Sequence, residues 1–213
     1  MNTQPLYNND IKHALFYVLS ITLTAIVLIS LLSGYYQVSF RELTADPNVI
    51  ANQPFYIGIL SQFGLFFWSA AATLSFTFAF FSKRLVKDKV LTSFYIFSGV
   101  IVSLLMIDDC FMLHEDVLPR LGIPQKVVFL FYGILVSSYL VKYYKVILKT
   151  PYILLLMAFG GFSLSALIDL FFHFETSNIW DSFIEDGAKF TGIVFWVSYV
   201  FQTNKLIFKE LDL

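Results

Sequence analysis

Charged side chains are scarce in this chain of 213 residues, because only 14% are Asp, Glu, Lys or Arg while 58% are hydrophobic. An ordinary soluble domain carries roughly 25% charged residues. A soluble protein of this size could not cover its apolar surface with so few charges. Lipid is therefore the natural solvent for the chain, and the composition predicts an all-α, polytopic integral membrane protein.

The chain also has only one cysteine and almost no net charge, and each of these facts excludes a class of protein. The single cysteine, Cys110, excludes an intrachain disulfide framework and a metal site built from several cysteines. The net charge of −1 gives no basis for nucleic-acid binding through bulk charge. We therefore expect no nucleic-acid partner, and we expect membrane lipid to surround the chain.

Long apolar segments recur along the whole sequence, and no internal repeat or soluble domain interrupts them. A helix needs roughly 20 apolar residues to cross the hydrocarbon core of a bilayer. Six segments meet this requirement, which predicts six transmembrane helices in a single domain over residues 1–213. The predicted spans are residues 13–34, 56–81, 90–112, 126–143, 151–172 and 184–203.

Basic residues are distributed unevenly between the two sides of these spans. Of the 14 Lys and Arg residues, ten lie on the side that holds both termini, three lie on the opposite side, and Lys189 lies within the sixth span. Short cytoplasmic loops carry the excess of Lys and Arg in membrane proteins. The pattern predicts a cell-membrane protein with both termini in the cytoplasm.

Ionisable residues collect at the outer ends of the third, fifth and sixth spans, in the sequences "IDDCFMLHE", "SALIDLFFHFE" and "SFIEDGAKFTG". At about 1.5 Å per helical residue, these acids lie within a turn or so of the outer membrane boundary. Ionisable groups at that depth are costly in contact with lipid and usually face the protein interior. We predict that they share one polar pocket that opens outward.

Helical spacing assigns these residues to faces. Asp108 and Glu115 are seven residues apart and share a face, whereas Asp109 points elsewhere. An uninterrupted helix would put His114 on the face of Cys110. The sequence thus predicts that Asp108 and Glu115 face the pocket together.

Two further pairs have i, i+4 spacing. Asp169 and His173 stack on one face and have the spacing of metal ligands. Glu185 and Lys189 also stack, and an ordinary ion pair of Lys189 with Glu185 or Asp186 is the alternative interpretation of that stretch.

The acids of the predicted pocket outnumber its one lysine, so the surplus must be protonated, solvated or neutralised by a cation. Carboxylates and imidazoles together suit a divalent metal, with zinc as the first choice and Mn²⁺ or Ca²⁺ behind it. The predicted metal ligands are Asp108, Asp109, His114, Asp169, His173 and Asp186.

A metal-dependent hydrolase or lipid-modifying enzyme is the function that this pocket predicts. Glu185 or Glu115 would act as the general base, and Lys189 would stabilise developing negative charge. The arrangement is similar in type to that of ceramidase-like polytopic zinc hydrolases, which have more histidines and more spans. A pocket at the lipid–water boundary suits a lipid or a lipid-linked substrate.

Two other functions remain open. Buried acids beside a lysine also form ion or proton pathways in transport proteins, although the middle and inner thirds of these spans carry no charged residue. The third function is that of a non-catalytic accessory subunit, in which the acidic cluster would bind a larger membrane complex. A second copy of the chain is the other expected protein partner.

Overall fold

A computed structural model describes residues 7–171 and 179–210 of the chain. Those residues form helices and no strand, which confirms the predicted all-α fold. The helices are α1 (Tyr7–Tyr36), α2 (Phe40–Thr44), α3 (Pro47–Ile50), α4 (Ile59–Phe81), α5 (Lys89–Phe111), α6 (Leu118–Arg120), α7 (Gln125–Ile147), α8 (Tyr152–Phe171) and α9 (Ile179–Glu210). Single π-helical turns follow α4 at Ser82–Val86 and α5 at Leu113–Val117.

The chain divides into two compact units, Met1–Ile57 and Gly58–Leu213. In the first unit, the Ser39 hydroxyl accepts a hydrogen bond from the Glu42 backbone N–H, and the Glu42 carboxylate accepts one from the Ser39 backbone N–H. This reciprocal cap begins α2 immediately after the long apolar helix α1. The single domain expected over residues 1–213 stays a prediction.

Five helical segments of the described residues are long and apolar enough to cross a membrane. They are His13–Tyr36, Ile59–Val86, Lys89–Phe111, Gln125–Ile147 and Tyr152–Leu170. The fourth is longer than the predicted span 126–143, because the helix continues past Tyr143 although that residue has non-helical angles (φ −111°, ψ 16°).

The predicted sixth span, residues 184–203, lies within α9, which is not among those five segments. α9 has 32 residues and is long enough to cross a bilayer. Its lower apolarity comes from charged and polar residues such as Glu185, Asp186 and Lys189. Two of its polar residues, Thr203 and Asn204, are buried within the unit.

α9 packs against α4 and α8, and α4 also packs against α5. α7 packs on α5 and contacts α8 only sparsely. Stacked aromatic rings join α5 to α7, with the centroids of Phe94 and Tyr139 5.5 Å apart. The charged ends of α5, α8 and α9 therefore belong to one packed unit.

α8 and α9 approach closely enough for backbone to contact backbone, beside side-chain contacts such as that of Phe162 with Trp196. A Cβ added at Gly161 would lie 2.6 Å from the carbonyl oxygen of Ala188, and one added at Gly192 would lie 2.9 Å from that of Ala158. Glycine is therefore required at both positions for the helices to approach this closely. Small residues serve the same purpose at helix contacts in membranes.

Replacing Gly161 with valine should force α8 away from α9 and lower the stability of the protein. Overpacking of a close contact costs about 1–3 kcal/mol, which corresponds to a fall in Tm of roughly 2–4 °C per kcal/mol for a chain of this size. Thermal unfolding of the purified variant measures the effect. Gly160→Val is the matched control, because a Cβ at Gly160 meets nothing within 4 Å. Equal Tm values for the two variants would show that the contact is not tight.

Candidate functional site

His114 lies on a turn rather than on the continuation of α5. The helix ends at Phe111, and Met112 adopts left-handed angles (φ 49°, ψ 44°). The π-helical turn Leu113–Val117 then folds back, which returns His114 to the level of Asp108. The expected alignment of His114 with Cys110 on one helical face is therefore wrong, because the helix is interrupted between them.

Asp108 uses both carboxylate oxygens to hold His114. Its Oδ1 accepts a hydrogen bond from the His114 backbone N–H at 2.9 Å, and its Oδ2 lies 2.5 Å from Nδ1 of the imidazole. A carboxylate can only accept, so Nδ1 carries the proton in this contact. The other ring nitrogen, Nε2, lies 3.4 Å from Oε1 of Glu115. Asp108 thereby determines both the position of His114 and its tautomer.

The pair is shielded from solvent, because Asp108 is 4% exposed and His114 is 9% exposed. Burial of the imidazole by itself lowers its pKa. The hydrogen bond and the negative charge of Asp108 outweigh that effect, with further contributions from Glu115 and Asp169. The pKa of His114 is consequently raised above its ordinary value.

Asp109 turns the other way and joins α5 to α9. Its Oδ1 lies 3.0 Å from Nζ of Lys189, while the nearest oxygen of Asp186 lies 3.9 Å from the same nitrogen. Gly64 lies beside this pair, where an added Cβ would make an ordinary contact of 3.9 Å with Oδ2 of Asp109. The nearest ion-pair partner of Lys189 is thus Asp109 on another helix, although the i, i+3 neighbour Asp186 also contacts it.

Asp169 joins α8 to the start of α7, because its Oδ2 accepts a hydrogen bond from Nε2 of Gln125 at 2.5 Å. Sequence reasoning did not identify Gln125. The only local signal was its position directly after Pro124, where a helix begins.

Most of the charged residues predicted for the site border a cavity of about 290 Å³ in the second unit. Seven of the nine predicted site residues line it, and they are Asp108, Asp109, His114, Glu115, Asp169, Glu185 and Lys189. Asp186 is not among its lining residues, and its side chain is 54% exposed. His173 lies outside the described residues. The cavity is therefore assembled from α5, the turn after it, α8 and α9.

Apolar and aromatic side chains form much of the remaining wall. They come from α4, α5, α7 and α8, and no polar motif in the sequence marked them. They are Trp68, Leu105, Phe129, Val136, Phe159 and Phe162. Tyr132 also lines the cavity and interacts electrostatically with Asp108. The cavity therefore combines a charged region with an apolar one.

The arrangement of the acidic side chains determines whether the cavity could hold a metal ion. Within residues 7–171 and 179–210, no group of three or more His, Cys, Asp or Glu side chains is arranged to hold a metal ion. Both oxygens of Asp108 are bound to His114, and Asp109 is paired with Lys189. A divalent ion, and zinc in particular, stays a prediction.

A family model described as "Domain of unknown function (DUF8692)" matches residues 18–203. The chain belongs to the DUF8692 family. The matched range includes every residue that lines the cavity of this DUF8692 protein. No curated protein and no solved structure is significantly similar to it.

The charge of Asp108 should control the protonation of His114 in this DUF8692 protein. Asp108→Asn keeps the size of the side chain but removes its charge, so the effect of burial prevails and the pKa of His114 falls. NMR titration of the histidine ring signals measures this change. Asp116→Asn is the control, because Asp116 pairs with Arg120 at the surface.

The same shift determines how His114 affects stability as pH changes. Because the folded-state pKa is raised, the stabilisation is complete below about pH 6.5, the ordinary histidine pKa. It is lost as the pH rises through the raised folded-state pKa. Thermal unfolding across this range should show that loss in the natural protein and not in Asp108→Asn. An unchanged His114 pKa in Asp108→Asn would contradict the assignment.

Proposed function

We propose that the chain crosses the cell membrane six times, with both termini in the cytoplasm. Five apolar helical segments and the 32-residue helix α9 support six crossings. The excess of Lys and Arg on the side of the termini supports the orientation. The charged region of the cavity then lies at the outer membrane boundary.

Cysteine labelling tests this topology. In a Cys110→Ser background, a cysteine at Leu121 should react with a membrane-impermeant maleimide in intact cells, because the residue is exposed at the predicted outer side. A cysteine at Lys87 should react only after the cells are permeabilised. The reverse pattern would invert the topology, and equal labelling of both sites in intact cells would refute the crossings between them.

We propose that the cavity is the active site of an enzyme that hydrolyses or otherwise modifies a lipid or a lipid-linked substrate. The observation that carries this proposal is the buried Asp108–His114 pair. Asp108 binds one imidazole nitrogen, and the other lies beside Glu115 at the cavity. A carboxylate that orients a histidine in this way is a recurrent device in hydrolytic enzymes.

His114 is the general base of the proposed reaction. Its Nε2 takes a proton from a water molecule, the resulting hydroxide attacks an ester or amide carbonyl of the substrate, and the proton returns to the leaving group as the bond breaks. Lys189 lies in the same cavity and stabilises the negative oxygen that forms. Glu115 and Glu185, which also line the cavity, are the further proton-transfer groups of the site.

We further propose that a divalent ion, zinc first, balances the negative charge of this cavity. The charged wall has five carboxylates and one lysine. Asp169 and Glu185 line the cavity and would supply carboxylate ligands to the ion, while the described residues hold no preformed group of three such ligands. When bound, the ion would supply positive charge to the reacting group.

Activity should depend on the Asp108–His114 pair. Purified protein in vesicles of total lipid extract is incubated, and mass spectrometry compares the lipids before and after. A general base contributes about 10²–10⁴-fold to the rate, so His114→Gln should lose that factor, and Asp108→Asn should also be impaired. His13→Gln and Asp116→Asn are the matched controls outside the cavity, and both should retain activity. Full activity in His114→Gln would refute the assignment.

Elemental analysis of the same samples decides the role of a metal. Bound zinc that is lost in Asp169→Ala, together with activity lost on chelation, would support the metal-dependent form of the reaction. Activity that survives chelation in a zinc-free sample would leave the Asp108–His114 pair as the catalytic group without a metal.

Proton transport is a second candidate function, favoured by a set of buried polar groups deeper in the helices. Trp196 donates a hydrogen bond to Ser98, which also bonds Ser75. The hydroxyls of Tyr95 and Tyr139 are buried without a hydrogen-bond partner among the described residues. Such groups can hold water molecules, although none of them carries a charge. The charged pair lies in the cavity, which is why catalysis is the first proposal.

A further inference from the structure

The polarity of the cavity changes along the helix axes. Asp169 lies near the outer end of α8 and Phe159 ten residues before it, which corresponds to about 15 Å along the helix. On α7, Gln125 bonds Asp169 at the outer end and Val136 lines the cavity eleven residues later, about 16 Å away. The cavity is thus charged near the outer ends of the helices and apolar toward their middle.

The apolar part of the cavity opens sideways between α7 and α8. Gly133 on α7 and Ser163 on α8 both line the cavity, yet both are exposed. A Cβ at Gly133 would meet nothing within 4 Å. α7 and α8 also contact each other only sparsely. The opening is therefore a gap between two helices at mid-height, separate from the charged end.

The surface around this gap is apolar on both sides. Leu130 and Ile134 flank Gly133 on α7, and they are 64% and 59% exposed. Leu164 and Leu167 are close to Ser163 on α8, and they are 47% and 51% exposed. With the helices in a bilayer, this surface faces the hydrocarbon chains of the lipids. A water-soluble substrate would not reach an opening that faces the hydrocarbon chains.

The volume of the cavity limits what can occupy it. At about 290 Å³ it lies at the lower end of the range of about 300–1,000 Å³ for ligand pockets. A complete two-chain lipid is larger than this, so only the reacting part of such a molecule and a portion of one chain fit inside. The remainder must leave through an opening, and the gap between α7 and α8 provides an apolar one.

We propose that the apolar part of the cavity binds one hydrocarbon chain of a membrane lipid, which enters from the bilayer between α7 and α8 past Gly133. The bond that reacts then lies at the charged end, beside His114. This inference rests on the proposed membrane function and adds to it both the substrate class and the route of entry.

Fluorescence quenching of Trp68 tests chain entry directly. Trp68 lines the cavity and is only 3% exposed, so lipid outside the protein does not reach it. The protein is placed in vesicles of phosphatidylcholine that carries bromine atoms midway along its chains, because bromine quenches tryptophan on contact. The chain has three tryptophans, and the difference between the protein and Trp68→Phe isolates the signal of Trp68.

Gly133→Phe places a ring in the gap, and Ser163→Phe obstructs it from the opposite helix. Both variants should lose the quenching of Trp68 that the natural protein shows. Gly160→Phe is the matched control, because Gly160 is exposed, has open space around it and does not line the cavity. Its quenching should be retained. Because the two obstructing variants alter different helices, a folding defect in one of them would not explain a loss of quenching in both.

The outcomes separate this inference from the proposed reaction. Absence of Trp68 quenching in the natural protein, or equal quenching in Gly133→Phe, Ser163→Phe and Gly160→Phe, would overturn the entry of a chain, even if lipid hydrolysis is observed. Quenching that is lost in the two obstructing variants would support chain entry, even if His114→Gln leaves the lipids unchanged and the proposed catalytic role fails.

Discussion

The approach of α8 to α9 at Gly161 and Gly192 is the contact on which the rest of the second unit depends. From that contact, Asp169 lies eight residues along α8, about 12 Å away, and Glu185 lies seven residues back along α9, about 10 Å away. The two acids consequently reach similar heights at the same end of the two helices. The absence of two side chains in the middle of the helices thus positions the charged residues that line the cavity.

Pairing of charges explains how an apolar chain tolerates so many acids. Asp108 binds His114, Asp109 binds Lys189, and Asp169 accepts a hydrogen bond from Gln125. Buried charges are costly unless they are paired and hydrogen-bonded. Glu115 is more exposed, with 46% of its side chain accessible. The least accessible acids are therefore the ones with the closest partners.

The distribution of polar groups along the helices follows from the same cost of burying charged groups. The charged residues that line the cavity lie at one end of α5, α8 and α9, while the groups buried toward the middle are hydroxyls and an indole, such as Ser98 and Trp196. The proposed reaction on a lipid would use this order, because the reacting bond would lie near water and the hydrocarbon chain in the apolar part of the cavity.

Individual residues show which features of the site could not be predicted from the sequence. The return of His114 to Asp108 depends on a left-handed residue at Met112, which no helical spacing could indicate. The pairing of Asp109 with Lys189 joins residues 80 positions apart, and Gln125 is recognisable only through its contact with Asp169. The apolar wall was also missed, because an apolar side chain in an apolar helix carries no distinguishing signal.

The sequence by itself determined that the chain is all-helical, where its apolar helical segments lie, and that acids gather at one end of three of them. These are local properties, set by composition and by the length of each apolar segment. Only the tertiary structure decided which acid pairs with which base, that α9 packs against both α4 and α8, and that residues of several helices line one cavity. Those features depend on the rotation and spacing of helices distant in sequence, which are set by side-chain packing and by the two glycines at the α8–α9 contact.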